Sequence, residues 1–313
     1  MYLITGGAGF IGSHIANELV ARGADVRVFD NFSSGKRENL SNLVNQIEVV
    51  EGDLRDAEAV RNAVANVDVV FHLGAVPSVP RSIADPGTSM DVNVRGTLNV
   101  LLAARDQGCK RVVFASSSSV YGNTLELPKR ETFTPRPLSP YAISKLSGEQ
   151  LCGVFTSIYG LETVALRYFN VFGPRQDPNS QYSAVIPKFL KTLAESEKPT
   201  VYGDGGQSRD FTFVSNVVHA NLLASVAFGA AGGVFNIASG KAISLNQLLT
   251  EIGNQLTVVP LANYTESRIG DVRDSLADIS RAREVLGYEV LVPFEEGLRA
   301  TIAATIAPEL AVH

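Results

Sequence analysis

Along the first half of the chain, short apolar runs alternate with longer stretches in which apolar residues return every three or four positions. "MYLIT" reads as a strand and runs through "GGAGFIG" into "SHIANELVARG", where Ile15, Leu19 and Val20 keep helical spacing until Gly23. Further strands are predicted at "ADVRVFD", "IEVVEGD", "DVVFHLGA" and "KRVVFASS", separated by helical patterns such as "DAEAVRNAV" and "DVNVRGTLNVLLAARDQG". Strands apolar on both faces, each followed by a helix, predict a parallel sheet covered on two sides.

The second half is less regular. Proline, glycine and asparagine cluster in "NVFGPRQDPNSQYS" and "VYGDGGQSRD", which predicts a smaller, loop-rich unit, whereas "FTFVSNVVHANLLASV" and "GGVFNIAS" read as a helix and a strand returning to the main sheet. The expected fold is therefore α/β: a Rossmann-type doubly wound parallel sheet with a smaller, loop-rich α/β substrate domain. Residues 1–168 and about 212–242 are expected to form the first domain, and about 169–211 with 243–313 the second.

Composition narrows the classes. A chain of 313 residues with 45% hydrophobic and 19% charged residues can bury a large core. A net charge of −5 argues against general nucleic-acid binding, which needs a basic footprint. Cys109 and Cys152 have no metal-ligand spacing and are expected to be core residues; the histidines at 14, 72, 219 and 313 are scattered, so no metal site is expected. The window "ANLLASVAFGAAGGVFNIASG" is broken by glycines and Asn236, so no membrane span is expected. No charged leader with a cleavage site precedes the first strand, and a cytoplasmic location is expected.

Candidate chemistry sits at strand ends. Gly6, Gly9 and Gly12 lie between the first strand and the first helix, where glycine lets backbone approach a pyrophosphate and the helix N-terminus offers free amides. Asp30, closing the second strand, can accept hydrogen bonds from an adenosine ribose and would repel a 2′-phosphate, which favours NAD over NADP; Lys36 and Arg37 nearby keep NADP open. Asp53 in "EGDL" can pair with the adenine amino group or cap the following helix.

"SPYAISK" places Tyr141 and Lys145 on one helical face, with Ser139 at the cap and Pro140 at the first helical position. The helix dipole and the lysine charge are expected to lower the tyrosine pKa from about 10, making Tyr141 a general base. The run "FASSSSVYG" could be a flexible linker, but it follows the apolar "RVVF" and so sits at a strand end, where a serine hydroxyl can hold the substrate oxygen that Tyr141 deprotonates.

Taken together, "GGAGFIG", "SSSSVYG", "SPYAISK" and "LRYFNVFGPRQDP" resemble the extended short-chain dehydrogenase/reductases, specifically the UDP-sugar 4-epimerases, from the first residue to about residue 300. The resemblance implies an NAD-dependent isomerase that oxidises C4 of a UDP-hexose, lets the 4-keto sugar turn over, and reduces it on the other face. It implies catalytic roles for Ser117, Tyr141 and Lys145, with Ser118 the near alternative to Ser117. It implies cofactor contacts at Gly6, Gly9, Phe10, Ile11, Gly12, Asp30, Asn31, Asp53, Leu54, Leu73, Ala75, Tyr141, Lys145 and Tyr168. Substrate contacts are implied at Ser117, Ser118, Asn170, Val185, Tyr202, Arg209, Arg268, Asp271 and Ser275.

Two departures and one position refine the expectation. Pro77 stands where many galactose-type members carry a lysine that touches the cofactor. Ser118 and Ser119 occupy the positions where related dehydratases carry an Asp-Glu pair, and the glutamate usual in decarboxylases is missing, so elimination is disfavoured. Ser275, a small residue at the position that gates the C2 substituent in this family, implies that UDP-GlcNAc and UDP-GalNAc are accepted beside UDP-glucose and UDP-galactose. "SVPRS" and "RQDPNSQYSAVIPKF" likewise resemble the N-acetylhexosamine enzymes. A UDP-glucuronate 4-epimerase or decarboxylase is the alternative, and a non-catalytic NAD-binding scaffold is the reading outside enzymes. The family resemblance also implies a homodimer, with the helices after Asp91 and Tyr141 forming a four-helix interface.

Overall fold

The computed structural model describes residues 1–177, 185–195, 197–266 and 273–310. In chain order, β1 (Tyr2–Thr5) leads into α1 (Phe10–Ala21), β2 (Val26–Asp30) and β3 (Ile47–Glu51). Next come α2 (Ala57–Val64), β4 (Val69–His72), the short helices α3 (Val79–Ala84) and α4 (Pro86–Met90), and a π-helical turn at Asp91–Arg95. That turn passes into α5 (Gly96–Asp106), β5 (Arg111–Ser117), α6 (Pro140–Tyr159) and β6 (Glu162–Tyr168).

The second half holds β7 (Val171–Phe172), α7 (Val185–Ala194), β8 (Thr200–Tyr202), β9 (Ser208–Asp210), β10 (Thr212–Phe213) and α8 (Val214–Val226). After these follow β11 (Val234–Ile237), β12 (Ala242–Ser244), α9 (Leu245–Leu256), β13 (Asn263–Thr265) and α10 (Phe294–Leu310).

Seven strands form one parallel sheet in the order β11-β6-β5-β4-β1-β2-β3. The chain winds outward from β1 to β3, then crosses to the other side of β1 to begin β4, so the order reverses between β1 and β4. In open sheets of this kind, ligands bind in the crevice at that reversal.

Strand alternation explains why both faces are apolar. Ile4, Val28, Phe71, Val113 and Val164 face α1 and α8, whereas Leu3, Phe29, Val70, Val112 and Ala165 face α2, α5 and α6. The helix α6 approaches β5 closely through Gly148, where an added Cβ would lie 2.3 Å from the Phe114 ring. The expectation of strands apolar on both faces fails at β3, an edge strand whose Glu48, Val49 and Glu51 are exposed. The edge carries charge, which discourages strand addition.

A third cluster brings together Phe172, Ile186 and Phe189, Leu248 and Ile252, and Phe294 and Leu298, from α7, α9, α10 and the short strands beside them. Its center is aromatic, with the Phe172 and Phe294 rings 5.5 Å apart. The segment that carries Ala277, Ile279, Ala282, Leu286 and Tyr288 returns to the cluster on the α1/α8 face of the main sheet. Cys109 and Cys152 are buried thiols. Among the described residues, no helix is long and apolar enough to cross a membrane.

Candidate active site

The crevice at the strand reversal is a cleft of about 870 Å³. Its floor is the glycine turn. Gly6 adopts φ +68°, and a Cβ there would lie 2.7 Å from the backbone nitrogen of Gly74, at the end of β4. A Cβ on Gly12 would sit 2.3 Å from the Gly6 carbonyl, so the turn and the helix close on each other only because both residues lack side chains. The helix α1 starts at Phe10, earlier than the apolar spacing suggests, and its cap, Gly9, supplies no side-chain hydrogen bond. The amides of its first turn, at Phe10, Ile11 and Gly12, are therefore open to an anion.

Asp30 closes β2 with its carboxylate accepting from the amides of Ala8 (2.9 Å) and Phe32 (2.8 Å). Each carboxylate oxygen keeps lone pairs for a further donor. Burial pushes the pKa of Asp30 up, against those two bonds. Asn31 donates to Asp53 (3.1 Å), and Arg55 binds the same carboxylate at 2.9 and 2.8 Å, which holds Asp53 well below the usual carboxylate range. Asp53 does not cap α2: Asp56 does, accepting from the amides of Glu58 and Ala59.

The two cations that left NADP open are engaged elsewhere. Lys36 pairs with Asp177 at 3.5 Å, and Arg37 binds Glu51 and lies 3.9 Å over the Phe32 ring. The cleft presents Asp30 there and neither Lys36 nor Arg37. Open helix amides, a turn that admits backbone contact and a free carboxylate edge fit a dinucleotide without a 2′-phosphate. Leu54, Leu73, Ala75 and Tyr168 line the same cleft; the Tyr168 hydroxyl donates to Asn221 at 2.9 Å.

The four serines separate into distinct environments. Ser116 is buried and donates to Glu149. Ser117 ends β5 and caps the following turn, its hydroxyl accepting from the Ser119 amide at 3.2 Å. Ser118 and Ser119 begin that 3₁₀ turn and, with Ser117, line the cleft. Strand pairing and capping leave no linker here.

Ser139 caps α6 by accepting from the Ala142 amide, and Pro140 fills the first helical position, as the sequence predicts. Tyr141 and Lys145 share a face, with the ammonium nitrogen 5.9 Å from the phenol ring center. Lys145 is 5% exposed and donates to the Ala115 carbonyl at 2.8 Å. The electrostatics differ from the expectation. Burial raises the Tyr141 pKa, opposed by a hydrogen bond with Ser117, and pushes Lys145 down to about 8. The apolar surroundings disfavour both charges.

Neighbours that sequence spacing did not reveal hold this pair in place. The Tyr141 amide donates to Ser82 of α3 at 3.0 Å. Asn93, in the π-helical turn, bridges the Val76 amide (2.7 Å) and the Ser144 hydroxyl (3.0 Å), which in turn donates to the Tyr141 carbonyl. The signal available was the asparagine in "DVNVRG", but nothing local marks its partners.

Beyond the serines the cleft continues past Asn170, Arg209 and Ser275 into a second cavity of about 430 Å³, lined by Val185, Tyr202, Asn170 and Arg209. Asn170, at φ +32°, donates to the Asp210 carbonyl (3.0 Å), and Arg209 donates to the carbonyls of Ser208 and Arg273. Asp210, which no motif singled out, anchors the region. Its buried carboxylate accepts from the Ser239 amide and hydroxyl, the Gly240 amide and the Ala277 amide. It thereby ties β9 both to the end of β11 and to the strap that carries Ser275. Arg268 and Asp271 lie outside the described residues.

A dinucleotide floor that leads past a tyrosine and serine to a second cavity places the protein in the class of Rossmann-type NAD-dependent enzymes. The chain belongs to the NAD dependent epimerase/dehydratase family, whose model matches residues 2–238. It is similar to a UDP-N-acetylglucosamine 4-epimerase from Methanobrevibacter ruminantium M1, solved in complex with UDP-N-acetylmuramic acid: TM-score 0.94, 42% identity, 98% of each chain covered. It is 38% identical over 306 residues to the UDP-glucose 4-epimerase of Mycolicibacterium smegmatis, covering 96% of both chains. A putative UDP-glucose 4-epimerase of Methanocaldococcus jannaschii is 37% identical over 304 residues, covering 96% of this chain and 97% of that one.

Lys145 should titrate visibly. In the nucleotide-free protein its side-chain NMR signals are expected to move with a midpoint near pH 8, against the ordinary lysine value of 10.5. Between those two values the folded chain has released this proton while the unfolded chain still holds it, so the group's contribution to stability rises with pH. A midpoint above pH 10 would show that burial does not govern the site.

Proposed function

We propose that the protein interconverts the C4 epimers of UDP-hexoses, with NAD retained through the cycle, and that it accepts UDP-GlcNAc and UDP-GalNAc as well as UDP-glucose and UDP-galactose. The observation that carries this is the distribution of charge along the cleft. Among the described residues lining it, the carboxylates are Asp30 and Asp53, both at the dinucleotide end, while hydroxyls alone stand at the end of β5. Expelling water needs a further acid–base pair beside the sugar, whereas passing a hydride out and back needs only the one base that Tyr141 supplies.

In this reading residues 1–168 and about 212–242 hold NAD and the remainder holds the UDP-sugar. Ser117 holds the C4 hydroxyl, Tyr141 takes its proton and Lys145 supports the phenolate. NAD, when bound, supplies the hydride acceptor for C4, and its positive ring favours the phenolate that burial alone disfavours. Asn170 and Arg209 grip the diphosphate, leaving the sugar free to turn before the proton returns from Tyr141. Hydride and proton both come back, so no net oxidation results. Replacing Tyr141 by Phe is expected to lower turnover at least 100-fold while NAD remains bound; unimpaired turnover would falsify the mechanism.

Substrate breadth rests on Ser275. It is half-buried in the strap beside β9, its amide donating to the Ser208 carbonyl at 3.1 Å, and it lines the cleft near Arg209. Ser275→Tyr is expected to remove turnover of UDP-GlcNAc and spare that of UDP-glucose. Equal turnover of both sugars by the variant would sink the gate. A UDP-glucuronate reading has one observation in its favour: Arg81 lines the cleft and has no ion-pair partner among the described residues. UDP-glucuronate therefore belongs in the same assay.

We also propose a homodimer through α5 and α6. Ile143, Val154 and Ile158 form an exposed apolar stripe along one face of α6, a surface that an isolated chain would leave to water. Sedimentation should give twice the chain mass, and Ile158→Asp with Val154→Asp should halve it; a monomeric parent at micromolar concentration rules this out.

A further inference from the structure

Behind the cleft lies a buried ion pair that the proposed reaction does not use. Arg167, on β6, donates to Glu149, on α6, through Nε at 2.9 Å and Nη2 at 2.7 Å; both side chains are nearly inaccessible, and Ser116 donates to the same carboxylate. Arg167 also lies over the Tyr121 ring, 4.7 Å from its center, and the Tyr121 hydroxyl donates to Asn236 of β11 at 2.7 Å. The group thus joins α6, β5, β6, the turn after the serines, and β11.

Its place is what gives it meaning. Tyr141, Lys145 and Glu149 are spaced four apart, so they lie along one face of α6, directed at β5. Lys145 is bonded to the carbonyl of Ala115 and Glu149 to the hydroxyl of Ser116, while Tyr141 and Ser117 line the same cleft. Two successive residues of the strand end, Ala115 and Ser116, are therefore matched to two successive turns of the helix. Ser116 and Arg167 face each other in the β5–β6 register, so the carboxylate closes a three-element joint one residue inside Ser117.

Stability alone is a poor account of this joint. Apolar residues of the same volume usually do as well as a buried ion pair or better. Here the pair also leaves Arg167 Nη1 without a hydrogen-bond partner among the described residues. A charged joint does, however, admit a single register, whereas an apolar contact between helix and strand can slide.

We propose that Ser116, Glu149 and Arg167 are positioning residues that set the separation of Ser117 from Tyr141 and Lys145, so that the sugar hydroxyl, the serine and the phenol come into line for proton transfer. This rests on the epimerase reading above. Proton transfer tolerates misplacement of well under 1 Å, and the joint ties β5 to α6 and β6 one residue inside Ser117.

The test is Ser116→Ala, which keeps the ion pair and removes only its bond to β5. Its kcat for the UDP-hexose that the parent turns over is expected to fall about tenfold, with KM, bound NAD and melting temperature close to the parent's. In a Ser117→Ala background the same change should cost nothing further, because it acts through Ser117. Glu149→Leu with Arg167→Met serves as a second variant: stability is expected to match the parent's while kcat stays depressed. A Ser116→Ala enzyme within twofold of the parent, a loss that adds to that of Ser117→Ala, or a fully active double variant would each overturn the positioning role alone. A parent inactive on every UDP-hexose would overturn the epimerase reading and the positioning role with it.

Discussion

The architecture depends on one close approach, that of the backbone ends of β1 and β4. Where the chain reverses its winding, Gly6 and Gly74 come so near that no side chain fits at Gly6. That contact opens the crevice above the strands and aims the first turn of α1 into it. Everything that follows is arranged along that crevice: helix amides at one end, hydroxyls and phenol in the middle, and the Arg209 pocket beyond. A bulkier residue at Gly6 or Gly12 would do more than block a ligand. It would push α1 off the sheet and lose the packing of Ile15 and Leu19 on the core.

The second organising element is α6. Its face toward β5 carries phenol, ammonium and carboxylate in order, and all three are buried or nearly so. Burial reverses simple expectations about charge. Burial makes the phenol resist ionisation and lowers the pKa of the lysine, because neither charge has enough polar company. A cation bound beside the phenol would shift that balance toward the phenolate. His72 shows the same effect without a reactive role: buried between Thr5 and Thr97, its pKa is held down to about 3 and it stays neutral.

The smaller unit is joined to the sheet by polar contacts as well as by its own aromatic core. Asp210 gathers four donor groups from the end of β11 and from the strap after residue 273, and it neighbours Arg209 in sequence. The cleft-lining Arg209 and the carboxylate that ties these segments together are therefore adjacent, and Asn170 is bonded to the carbonyl of Asp210.

Much of this is written in local sequence. The strands, the glycine turn, the capping serine of α6 and the shared face of Tyr141 and Lys145 all follow from rules that act over a few residues, namely pleat alternation, helix periodicity and the space a Cβ needs. Those rules also placed the helix and strand that return to the sheet in the second half. The cap of α2 is local too, since Asp56 accepts from the amides of Glu58 and Ala59. Two further features were decided only when distant segments met. Ser116 and Ser117, identical and adjacent, face opposite environments, one bonded to a buried carboxylate and the other lining the cleft beside Tyr141. The ionisation of Tyr141 and Lys145 runs against their spacing. Local order along the chain sets which groups are present and which neighbours they keep. The tertiary structure decided their charge and their partners, because desolvation and pairing across strands depend on contacts that no short stretch of sequence contains.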